Sequence, residues 1–311
     1  MIKKDKVVII GAGSVGSAVL SGLTQMNLVS EIIVIDQNEE KAKGEVLDVI
    51  HTTAFAYSSN VSIKVGTYQD CKDAAMIVMS AGPSIKPGDT LDRQILANTN
   101  INDFDCVMAQ IVQYTPEALF LVVSHPVALL VYTAQTQYQY PKHKIFGTGT
   151  LIDTARFRQM VAMHVGVDSK NIHGCVYGEH GTNCFIPWST VNVAGVPINK
   201  VDAIFDCPPI DIHAIEKETK SIGLQILTMK GFTSSGVAMS VCRIIKTILL
   251  NELAVLPISS VLEGEYDIYD IALSIPTIVG KEGIVKRITV PLTKEEHVKL
   301  KQCAIALRKL L

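Results

Sequence analysis

Short runs of apolar residues alternate with longer stretches of helical periodicity through the first half of the chain. Five of these runs are continuous rather than alternating, as expected of strands covered on both faces. They span residues 6–10, 31–36, 62–66, 76–81 and 119–124. Between them, apolar residues recur at helical spacing, as from Val15 to Met26. This β-α-β alternation predicts a parallel, doubly wound sheet.

The pattern changes after about residue 149. Helical periodicity predicts helices over residues 150–165, 211–230, 234–251 and 293–311, interleaved with hairpin-like strands in TVNVAGVPI and GIVKRITVPL. We therefore predict an α/β fold with two domains. Residues 1–149 would form a domain with a doubly wound parallel sheet, and residues 150–311 a mixed α+β domain.

Composition and charge exclude several classes of function. The 311 residues are 48% hydrophobic and 19% charged, which is typical of a globular chain. A net charge of -2 gives no reason to expect a nucleic-acid or anionic-membrane partner. The most membrane-like segment, residues 118–134, has Ser124, His125 and Pro126 at its centre, so a buried strand followed by a helix explains it better than a membrane span.

Cysteine usage and the start of the chain favour a cytoplasmic protein. The seven cysteines are dispersed, with no C-x-x-C and no paired metal-ligand spacing. We therefore expect reduced thiols and no metal site. The opening MIKKDKVVII runs directly into an apolar strand and a glycine loop, which leaves no room for a signal peptide.

The stretch VVIIGAGSVG places three glycines between a predicted strand and a predicted helix. Gly11 permits a tight turn, Gly13 lets a pyrophosphate approach the backbone, and Gly16 allows close packing of helix on strand. The pyrophosphate would lie at the helix N-terminus, where free N–H groups favour an anion.

Asp36 ends the next strand, where a carboxylate accepts hydrogen bonds from ribose hydroxyls and repels a 2′-phosphate. With no arginine beside it, Asp36 favours NAD over NADP. We therefore expect residues 1–149 to be a Rossmann-type NAD-binding domain and residues 150–311 to be the substrate domain.

Three further stretches carry candidate catalytic chemistry. GTGTLIDTARFR places Asp153 and Arg156 on one face of a helix, and YGEHGTN sets His180 in a glycine-flanked loop. IKPGDTLDR is a polar loop after a strand, a plausible lid that ends in Arg93. Taken singly, an Asp–Arg pair is typical of a surface ion pair and a lone histidine of a structural role. Beside a dinucleotide loop, the combination favours a catalytic site.

Together these motifs resemble the L-lactate and malate dehydrogenase family along essentially the whole chain. The pair GTLIDTAR and GEHG, in this order after the glycine loop, makes the resemblance specific. Within the family the sequence looks most like bacterial L-lactate dehydrogenases, with L-2-hydroxyisocaproate dehydrogenases as neighbours. The resemblance implies reversible hydride transfer between NADH and a small 2-oxo acid, with pyruvate as the first choice.

The resemblance also implies roles by position. His180 would donate the proton to the 2-oxo group, and Asp153 would hold its imidazole. Arg156 would grip the substrate carboxylate with two parallel hydrogen bonds, and Arg93 would close over the site and polarise the carbonyl. Thr233 would line the substrate pocket. The positions implied to contact NAD are Gly11, Gly13, Val15, Gly16, Asp36, Lys41, Tyr68, Gly82, Val123, Ser124 and Thr148.

A second ligand and an assembly are implied by the bacterial relatives. Arg158 and His173 match the pair that binds fructose 1,6-bisphosphate in allosteric lactate dehydrogenases. A cation and a titratable histidine suit a phosphate dianion; the alternative is an ordinary surface arginine and histidine. The resemblance further implies a homotetramer, with the effector site at a subunit contact.

The sequence departs from the family pattern at the lid and at the substrate-selecting position. The lid is two residues longer upstream of Arg93. Ile85 stands where a malate enzyme needs an arginine, because a second substrate carboxylate left unpaired in a buried site is costly. Isoleucine therefore argues against malate. It leaves pyruvate, or a bulkier 2-oxo acid, as the substrate.

The third departure is the segment SHPVA, where relatives read S-N-P-V-D. His125 follows a predicted strand at the edge where cofactor crevices form. We therefore expect it to be an unusual contact to the nicotinamide and the substrate, and not the acid/base. Because His125 and Ala128 replace a family asparagine and aspartate, an NAD-binding protein with weakened catalysis is the alternative from another class.

Overall fold

The first part of the chain folds as alternating strands and helices. The structure, a computed structural model, describes residues 5–55, 60–83 and 93–310, and of residues 93–98 the backbone alone. The strands are β1 (Lys6–Ile10), β2 (Glu31–Ile35), β3 (Ser62–Val65), β4 (Met76–Met79), β5 (Phe120–Val122) and β6 (Ile145–Gly147). The helices are α1 (Ser14–Met26), α2 (Glu39–Ile50), α3 (Arg93–Tyr114) and α4 (Val127–Thr136).

These six strands form one parallel sheet in the order β3-β2-β1-β4-β5-β6. The strand order reverses between β1 and β4, and at such a switch point a crevice opens at the carboxyl ends of the strands. The central strands are fully buried, with Val7, Val8 and Ile9 all at 0% exposure, because helices cover both faces. The predicted doubly wound sheet is confirmed. The sequence pattern missed β6, whose apolar run is only three residues long.

The second part of the chain mixes longer helices with short antiparallel strands. Its strands are β7 (Ile172–His173), β8 (Tyr177–Gly178), β9 (Cys184–Phe185), β10 (Asn192–Val193), β11 (Val196–Pro197), β12 (Ala254–Leu256), β13 (Ser259–Glu263), β14 (Tyr269–Ser274), β15 (Thr277–Gly280) and β16 (Gly283–Arg287). Its helices are α5 (Leu151–Val165), α6 (Val201–Phe205), α7 (Ile212–Lys230), α8 (Ser235–Leu249) and α9 (Lys294–Arg308). The four helices expected from periodicity are therefore present as α5, α7, α8 and α9.

The parallel sheet continues into the second part of the chain. β13 pairs antiparallel with β6, with Ser259 opposite Gly147, and β14, β8 and β9 follow in the same sheet. Two small sheets, β11-β10-β7 and β12-β15-β16, flank it. The hairpin expected in TVNVAGVPI is β10 with β11, whereas GIVKRITVPL contributes only β16, whose partner is the preceding β15. Strand partners far apart in sequence leave no local signal, so this continuation was not predicted.

A tight turn links the end of β6 to the start of α5 and so places the motif that carries Asp153. Gly149 has a φ of 55°, and a Cβ there would lie 2.5 Å from the backbone nitrogen of Ser259. The chain therefore enters α5 directly beside β13, with Asp153 in the first turn of the helix. Within the described ranges, no helix combines the length and the apolar character that crossing a membrane requires.

Candidate active site

The glycine loop between β1 and α1 has the geometry that a dinucleotide needs. Gly11 has a φ of 101°, and a Cβ there would lie 2.5 Å from the Ala81 nitrogen. A Cβ on Gly16 would lie 1.8 Å from the Gly11 carbonyl oxygen, so the helix packs directly on the loop. A Cβ on Gly13 would meet nothing within 4 Å. The backbone is therefore open at Gly13, which fits the approach of a pyrophosphate to the N-terminus of α1.

Asp36 is anchored beside this loop, immediately after β2. Its Oδ2 accepts a hydrogen bond from the Ala12 backbone N–H at 2.6 Å, and its Oδ1 accepts one from the Asn38 N–H at 2.8 Å. A carboxylate has about four lone-pair sites, so both oxygens keep acceptor capacity for ribose hydroxyls. The loop and this carboxylate together fit the adenosine half of NAD.

The remaining positions predicted to contact NAD lie on the elements around the crevice. They are Gly82 after β4, Val123 and Ser124 after β5, Thr148 after β6, Val15 in α1, Lys41 in α2 and Tyr68 in a 3₁₀ turn after β3. The first four share the carboxyl edge of the sheet, because parallel strands end together. Ser124 is held there by a hydrogen bond from its Oγ to the Ala81 carbonyl oxygen at 2.5 Å. Lys41 is exposed, and burial raises the pKa of Tyr68.

One buried carboxylate holds two of the predicted site residues. Asp153 is 1% exposed in the first turn of α5. Its Oδ2 lies 2.5 Å from the Nδ1 of His180, which comes from the loop between β8 and β9. Its Oδ1 accepts a hydrogen bond from the Nη1 of Arg156, one helical turn along, at 3.1 Å. The structure therefore brings the two sequence motifs together on a single carboxylate, and the contact uses Nδ1 of His180 and not Nε2.

A second imidazole stacks on the first. The rings of His125 and His180 have centroids 5.0 Å apart and planes 29° apart. His125 follows β5, and its peptide bond to Pro126 is cis. Both imidazoles border a polar pocket that Ala128, Glu179 and Ser259 also line. The predicted departure from the family pattern thus lies against the predicted proton donor.

His125 is held in its neutral form by its surroundings. Its side chain is accessible to solvent, but protein groups of the pocket crowd around it. This desolvation, reinforced by the neighbouring His180, lowers the pKa of His125 to about 4. Water in the cleft opposes part of the shift, and the imidazole is neutral at pH 7 in either case. Burial also raises the pKa of the neighbouring Glu179.

We expect His125→Asn to make the fold less sensitive to acid. In the unfolded chain His125 takes up a proton near its ordinary pKa of 6.5, whereas in the folded protein it resists protonation down to about 4. The unfolded state therefore binds more protons between these two pH values. The free energy of unfolding decreases as the pH is lowered through this range. Thermal unfolding at about pH 7.5 and about pH 5 measures this loss. An equal loss in the variant and the wild type would contradict it.

Gly223 is a site residue that the sequence analysis missed. It lies in α7 against the guanidinium of Arg156, and a Cβ there would be 3.2 Å from Nη1. Any larger side chain would press on the group expected to bind the substrate carboxylate. The only local signal is a glycine inside a predicted helix, which is destabilising by roughly 0.5–1 kcal/mol relative to alanine and so requires a packing reason.

The other predicted site residues lie in three places. Arg158 donates from Nε and Nη2 to the Gly174 carbonyl oxygen at 3.1 and 2.7 Å, and His173, just before that glycine, is exposed on β7. Thr233 is half-buried between α7 and α8. Arg93 begins α3, and its side chain lies outside the described residues. Ile85 and the rest of the predicted lid also lie outside them.

This arrangement is what a dehydrogenase requires. A hydride delivered from a dinucleotide must be matched by a proton transfer at the same carbonyl, and a charged anchor must hold the substrate still. The chain belongs to the lactate/malate dehydrogenase family. Residues 5–147 match the family's NAD binding domain, and residues 150–311 match its alpha/beta C-terminal domain. The resemblance expected from the motifs is confirmed.

Relatives and solved structures agree with this membership. The chain is 50% identical to L-lactate dehydrogenase 2 of Clostridium acetobutylicum, over 99% of this chain and 97% of that one. It is 44% identical to L-lactate dehydrogenase of Selenomonas ruminantium, with the same coverage. Its fold superposes on the minor L-lactate dehydrogenase of Enterococcus mundtii with a TM-score of 0.93, at 35% identity, covering 99% of this chain and 97% of that one.

Proposed function

We propose that the protein is an NAD-dependent L-lactate dehydrogenase, which interconverts pyruvate and L-lactate. The observation that carries the proposal is the Asp153 carboxylate, bonded to His180 on one oxygen and to Arg156 on the other. A proton donor and a carboxylate anchor are thereby held at a fixed separation, as a 2-oxo acid requires. The names of the relatives from Clostridium and Selenomonas support the same activity.

The residues divide the chemistry between them. NADH, when bound, supplies the hydride. His180 gives the proton on its Nε2 to the substrate oxygen, and Asp153 stabilises the imidazolium form through Nδ1. Arg156 holds the substrate carboxylate with paired hydrogen bonds, which a lysine cannot reproduce. Arg93 would polarise the carbonyl, and Thr233 would line the pocket.

The cofactor is held by the glycine loop and Asp36. We propose NAD in preference to NADP because a 2′-phosphate would lie against the Asp36 carboxylate, which is fixed by two backbone N–H groups. The positions on the carboxyl edge of the sheet, from Gly82 to Thr148, would carry the nicotinamide half. His125 would contact the nicotinamide and the reacting oxygen as a neutral imidazole, which can donate one hydrogen bond.

A panel of 2-oxo acids tests the activity and the choice of substrate. We expect NADH oxidation with pyruvate to exceed that with 2-oxoisocaproate, and oxaloacetate to be a poor substrate because Ile85 cannot pair its second carboxylate. A preference for 2-oxoisocaproate would assign the protein to the bulkier-acid dehydrogenases, which an apolar Ile85 also favours. No turnover with any of the three acids would leave an NAD-binding homologue with weakened catalysis.

We further propose that fructose 1,6-bisphosphate binds near Arg158 and His173. Two N–H groups of Arg158 donate to the Gly174 carbonyl oxygen. These bonds hold the guanidinium beside the strand that carries His173. We expect the bisphosphate to lower the KM for pyruvate several-fold, because a guanidinium and an imidazole suit a phosphate dianion. A titration with Arg158→Gln as the matched control measures this. An identical response in the variant would contradict the assignment.

The assembly we propose is a homotetramer. Large apolar side chains are exposed on α2 and α7, among them Leu47 at 60% and Met229 at 82%, and subunit contacts would cover them. Light scattering at working concentration tests whether the protein is a homotetramer.

We also propose a cytoplasmic location, which the free thiol state of all seven cysteines supports.

A further inference from the structure

The pocket beside the stacked imidazoles contains a buried hydroxyl that the catalytic scheme does not use. Ser259, the first residue of β13, is 2% exposed and lines this pocket together with His125 and Ala128. Its Oγ has no hydrogen-bond partner among the residues that the structure describes. The neighbouring Ser274 hydroxyl, in contrast, accepts a hydrogen bond from the Thr150 N–H at 3.2 Å. Ser259 is therefore one polar group of this pocket that stays unpaired within the described part of the chain.

The His125 imidazole is the second unpaired group on the same pocket. It stacks on His180 but makes no hydrogen bond with any group in the described ranges, although one of its nitrogens is a donor and the other an acceptor. The titratable groups around it are His180, Asp153 and Glu179. The first two already bond to each other, and Asn183 donates to Glu179 at 3.2 Å. None of these three groups therefore fixes the orientation of the His125 ring.

We propose that Ser259 is a positioning residue for His125. A single water in the pocket joins the Ser259 hydroxyl to one ring nitrogen, which selects one tautomer and directs the other nitrogen toward the reacting carbonyl. The small side chain of Ala128 leaves room for that water, and Ser274 and Glu179 supply further polar partners on the pocket wall. The inference rests on the proposed function, in which His125 contacts the reacting oxygen.

Stability measurements separate a bridged hydroxyl from an unpaired one. A buried hydroxyl without a partner costs free energy, so its removal in Ser259→Ala would raise the Tm. A hydroxyl that binds an ordered water and, through it, His125 stabilises the fold, so its removal lowers the Tm. We expect the Tm to fall. A rise in Tm would overturn the proposal, and this result does not depend on the enzyme having any activity.

A double-mutant cycle tests the link to His125. We expect Ser259→Ala to lower kcat for pyruvate reduction about fivefold with little change in KM, and to have no effect on kcat in the His125→Asn background. Histidine ¹⁵N chemical shifts should show one His125 tautomer in the wild type and a mixture in Ser259→Ala. An equal fall in kcat in both backgrounds, or an unchanged tautomer, would overturn the proposal.

The adjacent serine is a matched control. Ser260 is also buried on β13, but its side chain points to the opposite face and accepts a hydrogen bond from Arg287 Nε at 2.9 Å. Ser260→Ala should lower the Tm and leave kcat and the His125 tautomer unchanged. If the wild type reduces no 2-oxo acid, the proposed function fails, whereas the Tm and the ¹⁵N spectra still decide the role of Ser259.

Discussion

His180→Asn lowers kcat for pyruvate reduction by about 10³-fold or more, while His125→Asn preserves or raises it. General acid–base catalysis by a positioned side chain is worth about 10²–10⁴-fold, and asparagine cannot transfer a proton. His180 alone of the two stacked imidazoles is bonded to a carboxylate, which both orients it and stabilises its charged form. His125 is neutral and bonds to no carboxylate of the described residues, so asparagine can supply the one hydrogen bond that we propose for it.

Single-turnover measurements with NADH and pyruvate compare His180→Asn and His125→Asn with the wild type. Fluorescence titration with NADH is the control, because both variants should bind the cofactor as the wild type does. The assignment of the two histidines is wrong if His125→Asn is as inactive as His180→Asn.

Asp153→Asn damages both turnover and substrate binding. The carboxylate accepts hydrogen bonds from His180 and Arg156 on separate oxygens, and an amide can accept on only one. We expect kcat to fall by about 10²–10³-fold through loss of imidazole orientation and charge stabilisation. The KM for pyruvate should also rise about tenfold, because Arg156 loses the group that fixes its guanidinium.

Arg156→Lys is the matched comparison, since it leaves the Asp153–His180 pair in place. It should raise the KM for pyruvate by about 10²-fold, because an ammonium cannot make two parallel hydrogen bonds, with a smaller effect on kcat. Steady-state kinetics of both variants, with thermal unfolding to check the fold, separate the two effects. A normal kcat in Asp153→Asn would show that the short contact to His180 has no role in turnover.

The parallel sheet could be predicted from local pattern because its strands are buried on both faces and read as unbroken apolar runs. All five predicted strands are present, with ends that differ by at most two residues. β6 was missed because a run of three residues carries too little signal. The pairing of β13 with β6 was missed for another reason: it joins Ser259 to Gly147, and strands so far apart in sequence share no local pattern.

The residues of the candidate site could be listed from motifs, and two of their connections were expected: helical spacing placed Asp153 near Arg156, and the family resemblance implied that Asp153 holds His180. The structure adds that one carboxylate makes both contacts, each on a separate oxygen. Gly223 and Ser259 carry no motif at all. Their importance comes from what lies against them, the Arg156 guanidinium in one case and the pocket beside His125 in the other.

Local sequence therefore determined the strands, the helices, the glycine loop and the family, since each depends on residues close together in the chain. Tertiary structure alone decided that one sheet runs through both parts of the chain, that Asp153 serves two partners and that His125 stacks on His180. Hydrophobic periodicity records only whether a residue is buried. Which groups meet in the interior depends on packing between distant segments, and that packing places His125, which the sequence predicts to be a cofactor and substrate contact, against His180 as a neutral imidazole.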